Sequence, residues 1–219
     1  MLIGRPTEHG TGIEIFGDYW DLKSLYETVH SLAGTEDEDC APGNVLLMEF
    51  AYEIRKANDN RRETDMSDFA DELIIYRGFK IFWTNLFVIV KQMRENARII
   101  KSTPDIQSDI YRLESIVENC LKKYDTTTGE QIFEWLSLSN VPKTEYMDLL
   151  VMQITYKNLQ TKDGISRFKQ LRKGIEALQL KHPEHKDFKK FLEVEAKRLK
   201  CKIKDLDLNL DYEVTGFKW

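Results

Sequence analysis

The sequence predicts an α-rich α+β fold, with about seven helices packed around a small sheet built from strands near the two ends of the chain. Three observations carry this. Most segments place apolar residues three and four apart, the spacing that gathers them on one face of a helix. Two short segments, Gly12–Gly17 and the stretch from Leu206 to Val214, instead alternate apolar with polar residues, the period of a half-buried strand. The composition, 42% hydrophobic and 32% charged, is too apolar for disorder and suits a helix-rich globular chain.

Taken in order, glycines flank GIEIFG at Gly12–Gly17, marking a short strand. A helix follows, with Leu22, Leu25, Tyr26, Val29 and Leu32 on one stripe; Asp18 caps it, Asp21 suits its first turn by charge, and Gly34 stops it. Thr35–Cys40 reads as an acidic loop. Asn44–Ala57 forms a second helix on Leu47, Phe50, Ala51 and Ile54, and Asp59–Asp71, nearly all polar, is a surface excursion. Leu73–Tyr76 suits a strand pairing with the first, and Phe79–Met93 a helix apolar on most sides.

In the second half, Thr103-Pro104-Asp105 starts a helix carrying Ile106, Ile110, Leu113, Val117 and Leu121. A short helix over Gly129–Leu138 follows, then a longer one from Pro142 through Leu159. Asp163-Gly164 opens a helix on Ile165, Phe168, Leu171, Ile175 and Leu178. Pro183 opens the last, on Phe188, Phe191, Leu192 and Leu199, and the two make a helical hairpin. A sub-boundary is conceivable near 100–104, but pairing of the terminal strands would tie the halves together, so one domain over 1–219 is expected.

Composition also bounds location. Cys40, Cys120 and Cys201 are odd in number and form no CxxC pair, which argues against a secreted disulfide framework. The start, MLIGRPTEHGTG, lacks the apolar stretch of a signal peptide. Ile81–Val90 is an apolar-rich run of ten, half of the roughly 20 residues a spanning helix needs. These features predict a soluble cytoplasmic protein that meets no membrane.

Charge is segregated. Residues 1–75 hold 17 acids against 6 Lys plus Arg, a balance of −11, and residues 157–204 hold 6 acids against 15 Lys plus Arg, a balance of +9. Lys169, Arg172, Lys173, Lys186, Lys189, Lys190, Lys197 and Arg198 dominate the basic hairpin. It is a patch for nucleic acid or an acidic partner, a solvated face, or a surface paired internally with the acidic third. Its aromatics are expected on the apolar stripe, apart from the basic face.

No residue is assigned a catalytic or cofactor-binding role. There is no G-x-S-x-G elbow and no glycine-rich phosphate loop. His182 and His185 stand three apart, as zinc ligands can, but the sequence supplies no third ligand nearby. Asp21 and His30 are nine residues apart, about 13.5 Å of helical rise, too far to act as an acid–base pair. Cys40 follows an acidic run that disfavours a thiolate. Tyr19 and Trp20 beside Asp21 suggest a stacking platform for a ligand, although Trp20 better suits a packing anchor between strand and helix.

Gly17-Asp18-Tyr19-Trp20-Asp21-Leu22, followed by Leu25-Tyr26 and His30, resembles the opening of a family of uncharacterised bacterial proteins in which a short strand turns through G-D-Y-x-D-L into a helix. Tyr52–Ala57 and the aromatic-rich Phe79–Phe87 stretch are compatible with that family's later segments, and the likeness covers roughly the first 90 residues. It implies a bacterial origin, a domain of unknown function and no mechanism.

The sequence therefore favours a non-enzymatic protein-interaction domain, with a homodimer suggested by Trp83 and the apolar Phe79–Val90 run. One alternative is a nucleic-acid-associated protein using the 163–204 hairpin. Another is an enzyme or small-molecule binder with a cleft near Tyr19, Trp20 and Asp21.

Overall fold

A computed structural model describes residues 1–34, 44–69, 72–162, 164–206 and 217–219, with 64–69 and 72–73 described as backbone. Its core is a four-stranded antiparallel sheet in the order β1-β2-β4-β3, with β1 at Ile3–Pro6, β2 at Gly12–Gly17, β3 at Glu63–Phe69 and β4 at Glu72–Phe82. Eight α-helices surround it among the described residues: α1 Tyr19–Ala33, α2 Asn44–Asn58, α3 Trp83–Ile99, α4 Pro104–Tyr124, α5 Thr126–Leu138, α6 Met147–Leu159, α7 Ile165–Glu176 and α8 Pro183–Leu199. The predicted class, α+β and mostly α, is the one observed. None of the described helices is long and apolar enough to cross a membrane.

The clearest sequence signals become the best-formed elements. β2 occupies Gly12–Gly17, with Ile13 and Ile15 wholly buried. In α1 the Asp18 carboxylate accepts from the Trp20 and Asp21 amides, while Asp21 accepts from the Asp18 amide, a reciprocal capping box. Leu22, Leu25, Val29 and Leu32 point inward, and Gly34 ends the helix at φ 85°. Thr103 caps α4 through the Ile106 amide. Along α4, Asp109 is buried and accepts from the Ser24 and Thr28 hydroxyls, tying it to α1.

Two of the expected strands are in the sheet: β2, and Leu73–Tyr76 as part of β4, the strand that pairs with β2; β1 and β3 join them. β1 was not foreseen, and it forms a hairpin with β2 across a turn held by the Thr7 and Thr11 hydroxyls, 2.7 Å apart. β3 lies inside the stretch expected as a surface excursion. It pairs with β4 from Glu63↔Gly78 to Phe69↔Glu72, a main-chain ladder that does not depend on apolar side chains. β4 runs on to Phe82, so Phe79–Phe82 are strand and the helix begins only at Trp83. Of the C-terminal strand expected over Leu206, Leu208, Leu210, Tyr212 and Val214, all but Leu206 lie outside the described residues; Leu206 is buried against α8. The Thr35–Cys40 loop is likewise outside them.

α6 starts at Met147 instead of Pro142, because the preceding segment is held elsewhere: Val141 is buried and Lys143 donates to the Asn96 side chain. A continuous apolar core extends from Leu2 to Leu178 and includes Trp83, Leu86, Phe87, Val88, Ile89 and Val90. Trp83 meets the Phe168 ring at 5.9 Å and Phe79 meets Phe50 at 5.7 Å. The run that suggested a dimer is thus covered within the chain. α8 stands apart from this core and packs through a smaller cluster of Leu192, Ala196 and Leu206 against Tyr146 and Leu149.

Candidate partner-binding surface

Successive residues on a helix turn by about 100°, so α8 divides into faces by sequence alone. His185, Leu192 and Ala196 share the buried face. Lys186, Lys190 and Lys197 fall within about 40° of one another, about 120° around the helix from the centre of that face. Phe191 and Val194 lie on the shoulder between Lys190 and the neighbouring helix α6, and they are 46% and 62% exposed. This corrects the expectation that the hairpin's aromatics stay on the apolar stripe. Leu199, also expected inward, is exposed as well.

The inner face is fixed by one polar residue. His185 is 1% exposed, with Nδ1 3.2 Å from the carbonyl oxygens of Ala177 and Leu178 and Nε2 3.0 Å from the Tyr146 hydroxyl. Carbonyls only accept, so the proton sits on Nδ1 and Nε2 accepts from Tyr146. Burial pushes the His185 pKa below its ordinary 6.5, Lys189 and His182 push the same way, and the two carbonyls oppose them. Burial also raises the Tyr146 pKa, with Glu193 and Glu145 adding to it. An unfolded His185 takes up a proton below about pH 6.5 while the folded ring resists, so acidification through that window favours unfolding. The melting temperature is expected to fall from pH 7 to 5.5, with a shallower fall in His185→Gln. Equal slopes in thermal melts of the two proteins would remove His185 as the cause.

Between α6 and α8 lies a groove of about 390 Å³, walled by Leu150, Ile154, Phe188 and Phe191. A second cavity of about 180 Å³ shares Ile154, Lys157 and Glu184 with it and reaches Lys173 and Gly174 of α7. The Lys157–Glu184 pair, at 2.8 Å, belongs to both. Phe188 and Phe191 stack 6.2 Å apart along the α8 wall.

The hairpin's cations pair with the hairpin's own acids: Arg172 with Glu176, Lys189 with Glu193, and Arg198 with Glu195. The ammonium groups of Lys186, Lys190 and Lys197 make no ion pair among the described residues, and all three are exposed. Where the N-terminal third meets the hairpin, it offers main chain: the His9 carbonyl accepts from the Gly164 amide and from Arg167 Nη1. The lysine row therefore faces outward.

The other sequence candidates are placed differently. His182 Nδ1 accepts from the Glu184 amide at the start of α8, and His185 is turned into the core, so the two imidazoles do not converge on a metal position. No group of three or more His, Cys, Asp and Glu able to hold a metal ion occurs among the described residues. Trp20 is 70% exposed, contrary to its expected role as a packing anchor. It lies two residues before Leu22 and so on the opposite side of α1 from the buried stripe. Its ring meets Tyr19 edge-on at 5.1 Å, with Lys23 Nζ 5.5 Å from its centre. Asp21 is occupied by the capping box and lies 3.7 Å from Arg112. Burial pushes the Cys120 thiol up to about 11, and Cys40 is outside the described residues.

Sequence reasoning missed the groove because Leu150 and Ile154 read as ordinary core positions of α6. Only the exposure of Phe191 shows that this apolar surface continues to solvent.

Residues 2–219 match the model of DUF6904, described as a domain of unknown function, and the chain belongs to that family. Searches of curated proteins and of solved structures returned no match.

Proposed function

We propose that this DUF6904 member is a non-enzymatic protein-interaction domain of the bacterial cytoplasm, and that α8 receives an acidic amphipathic segment of a partner protein. The observation that carries this is the exposure of Phe191 and Val194, with Val194 one turn from Lys190 and from Lys197 on the outward side of α8. An exposed apolar strip with unpaired lysines along one edge complements a helix that alternates leucine-like and carboxylate faces: the apolar contacts supply affinity, and the lysines guide the encounter, while Asp187 and Glu184 border the groove side. The groove between α6 and α8 extends the apolar strip inward. The non-enzymatic reading rests on what the chemically versatile groups do. His185 is held by Tyr146 and two carbonyls, Asp18 and Asp21 form a helix cap, and burial raises the Cys120 pKa. The cytoplasmic assignment draws on the free Cys120 and Cys201, and the bacterial one on the Gly17–Leu22 turn.

The test is an anisotropy titration with a labelled helical peptide carrying Leu at i, i+3, i+4 and i+7 and Glu elsewhere. Phe191→Ser/Val194→Ser and Lys190→Glu/Lys197→Glu are each expected to weaken binding by about tenfold or more, the scale of central interface residues. Melting temperatures should stay within about 2 °C of the parent, because these side chains are exposed. Unchanged affinity in both variants would refute the reading. Duplex DNA binding that is lost on charge reversal but indifferent to Phe191→Ser/Val194→Ser would replace it with a nucleic-acid surface. A light-scattering mass of twice 25.8 kDa that reverts in the variants would make the occupant a second copy.

A further inference from the structure

On the opposite side of α6 from α8, the end of β4 meets α2 and α3 around two adjoining cavities, of about 280 and 330 Å³. Phe82, Asn85 and Trp219 line both. Trp219 stacks on Phe82 with centroids 4.6 Å apart and planes 20° apart, and Phe217 packs against both rings. Phe50 and Phe79 close the floor of the smaller cavity. Phe50, Phe79, Phe82 and Trp219 thus border the smaller cavity, a space large enough for a small organic molecule.

The charges around the smaller cavity are unequal. Lys80 is shared between Glu14 and Glu63, at 3.4 and 3.3 Å. Glu53 is engaged by Lys56 and Arg62, at 2.9 and 2.7 Å. Glu49, an exposed residue of α2 that lines the smaller cavity, makes no ion pair or side-chain hydrogen bond among the described residues. Partial desolvation of its carboxyl against the cavity wall pushes its pKa above the usual carboxylate range, and the neighbouring acids Asp148 and Glu53 push it the same way. A cation entering here would meet an uncompensated carboxylate and the negative faces of aromatic rings, the two features that attract an organic ammonium group.

We infer that this cleft binds a compact organic cation, an amine on an apolar or aromatic body, with Glu49 as its counter-ion and Phe82 and Trp219 as its ring walls. Asn85 Oδ1, which accepts from Thr155 at 3.4 Å, has a second lone pair to accept from an ammonium beside them. The apolar body extends past Phe82 toward Met152 and Tyr156, where the second cavity opens. The site shares no lining residue with the α6–α8 groove. Its occupancy does not depend on the α8 reading.

The experiment is calorimetric titration of the full chain with phenethylammonium chloride and with 2-phenylethanol, a neutral molecule of nearly the same shape. The ammonium compound is expected to bind saturably and at least tenfold more tightly than the alcohol, and Glu49→Gln is expected to abolish that preference. A second readout needs no variant: the indole N–H resonance of Trp219 should shift with saturation. No saturable heat, equal affinity for the two compounds, a preference that persists in Glu49→Gln, or an unmoved Trp219 resonance would each overturn the assignment.

Discussion

Arg167→Met is expected to lower the unfolding free energy by about 3–5 kcal/mol, because one buried guanidinium satisfies three carbonyls from two distant parts of the chain. Arg167 is 4% exposed. Its Nη1 donates to the His9 carbonyl at 2.9 Å, and its Nη2 donates to the Leu159 and Thr161 carbonyls at 3.1 and 3.3 Å. The first bond fastens the β1–β2 turn. The other two supply donors at the C-terminal end of α6, where carbonyls lack helical partners and the dipole favours a cation. Methionine fills much of the volume and restores none of the bonds. Arg167→Lys keeps the charge, but its single ammonium lacks the planar fork that spans separate acceptors, so an intermediate loss is expected. For a chain of this size, the methionine variant should melt about 10 °C lower or more. A melt within about 2 °C of the parent would show that the carbonyls are satisfied without Arg167.

Gly12→Ala is expected to cost about 3 kcal/mol, at the upper end of overpacking penalties. The added Cβ would lie 1.9 Å from the Ile81 carbonyl oxygen and 2.9 Å from Phe82 Cα, which are backbone atoms of the paired strand. Gly12 pairs with Phe82 in the ladder, and the Trp83 amide donates to the Thr11 carbonyl just beyond it. No rotamer relieves the contact; β2 and β4 must separate at the point where α3 begins. Urea unfolding should give a lower midpoint with an unchanged slope. An unchanged midpoint would mean that the strand pair moves apart freely at this position.

Both residues show where the sequence was readable and where it was not. The α1 stripe and β2 were legible because local period and tertiary burial agree at Leu22, Leu25, Ile13 and Ile15. At Phe79–Val90 apolar residues continue from strand into helix through Ile81, Phe82 and Trp83, and Phe82 provides no side-chain cap to mark the boundary. β3 was hidden because its stretch is polar and its pairing is main-chain. Arg167 looked like one more cation of a basic hairpin; its burial depends on a contact with His9, 158 residues away. Phe191 and Leu199 fit a loose apolar stripe, yet the face that α6 covers is narrow and centred on His185, Leu192 and Ala196. The groove and the Phe82 cleft could not be read from spacing at all, since each gathers residues from several elements.

The two surfaces use different physics. On α8, charge and apolar contact lie side by side on an open helix, which suits an extended macromolecular partner. At Phe82 and Trp219, rings border a space whose lining includes Glu49, an acid without an ion pair among the described residues, which suits a small molecule.

The most direct test of the interaction account is amide chemical-shift mapping of the full chain during titration with the acidic amphipathic peptide. The account predicts that the largest shifts fall on Lys190, Phe191, Val194 and Lys197, and continue into Leu150 and Ile154 of the α6 wall. Shifts confined to the Phe82–Trp219 cleft or to the Tyr19–Trp20 corner, or no saturable shifts at all, would contradict it.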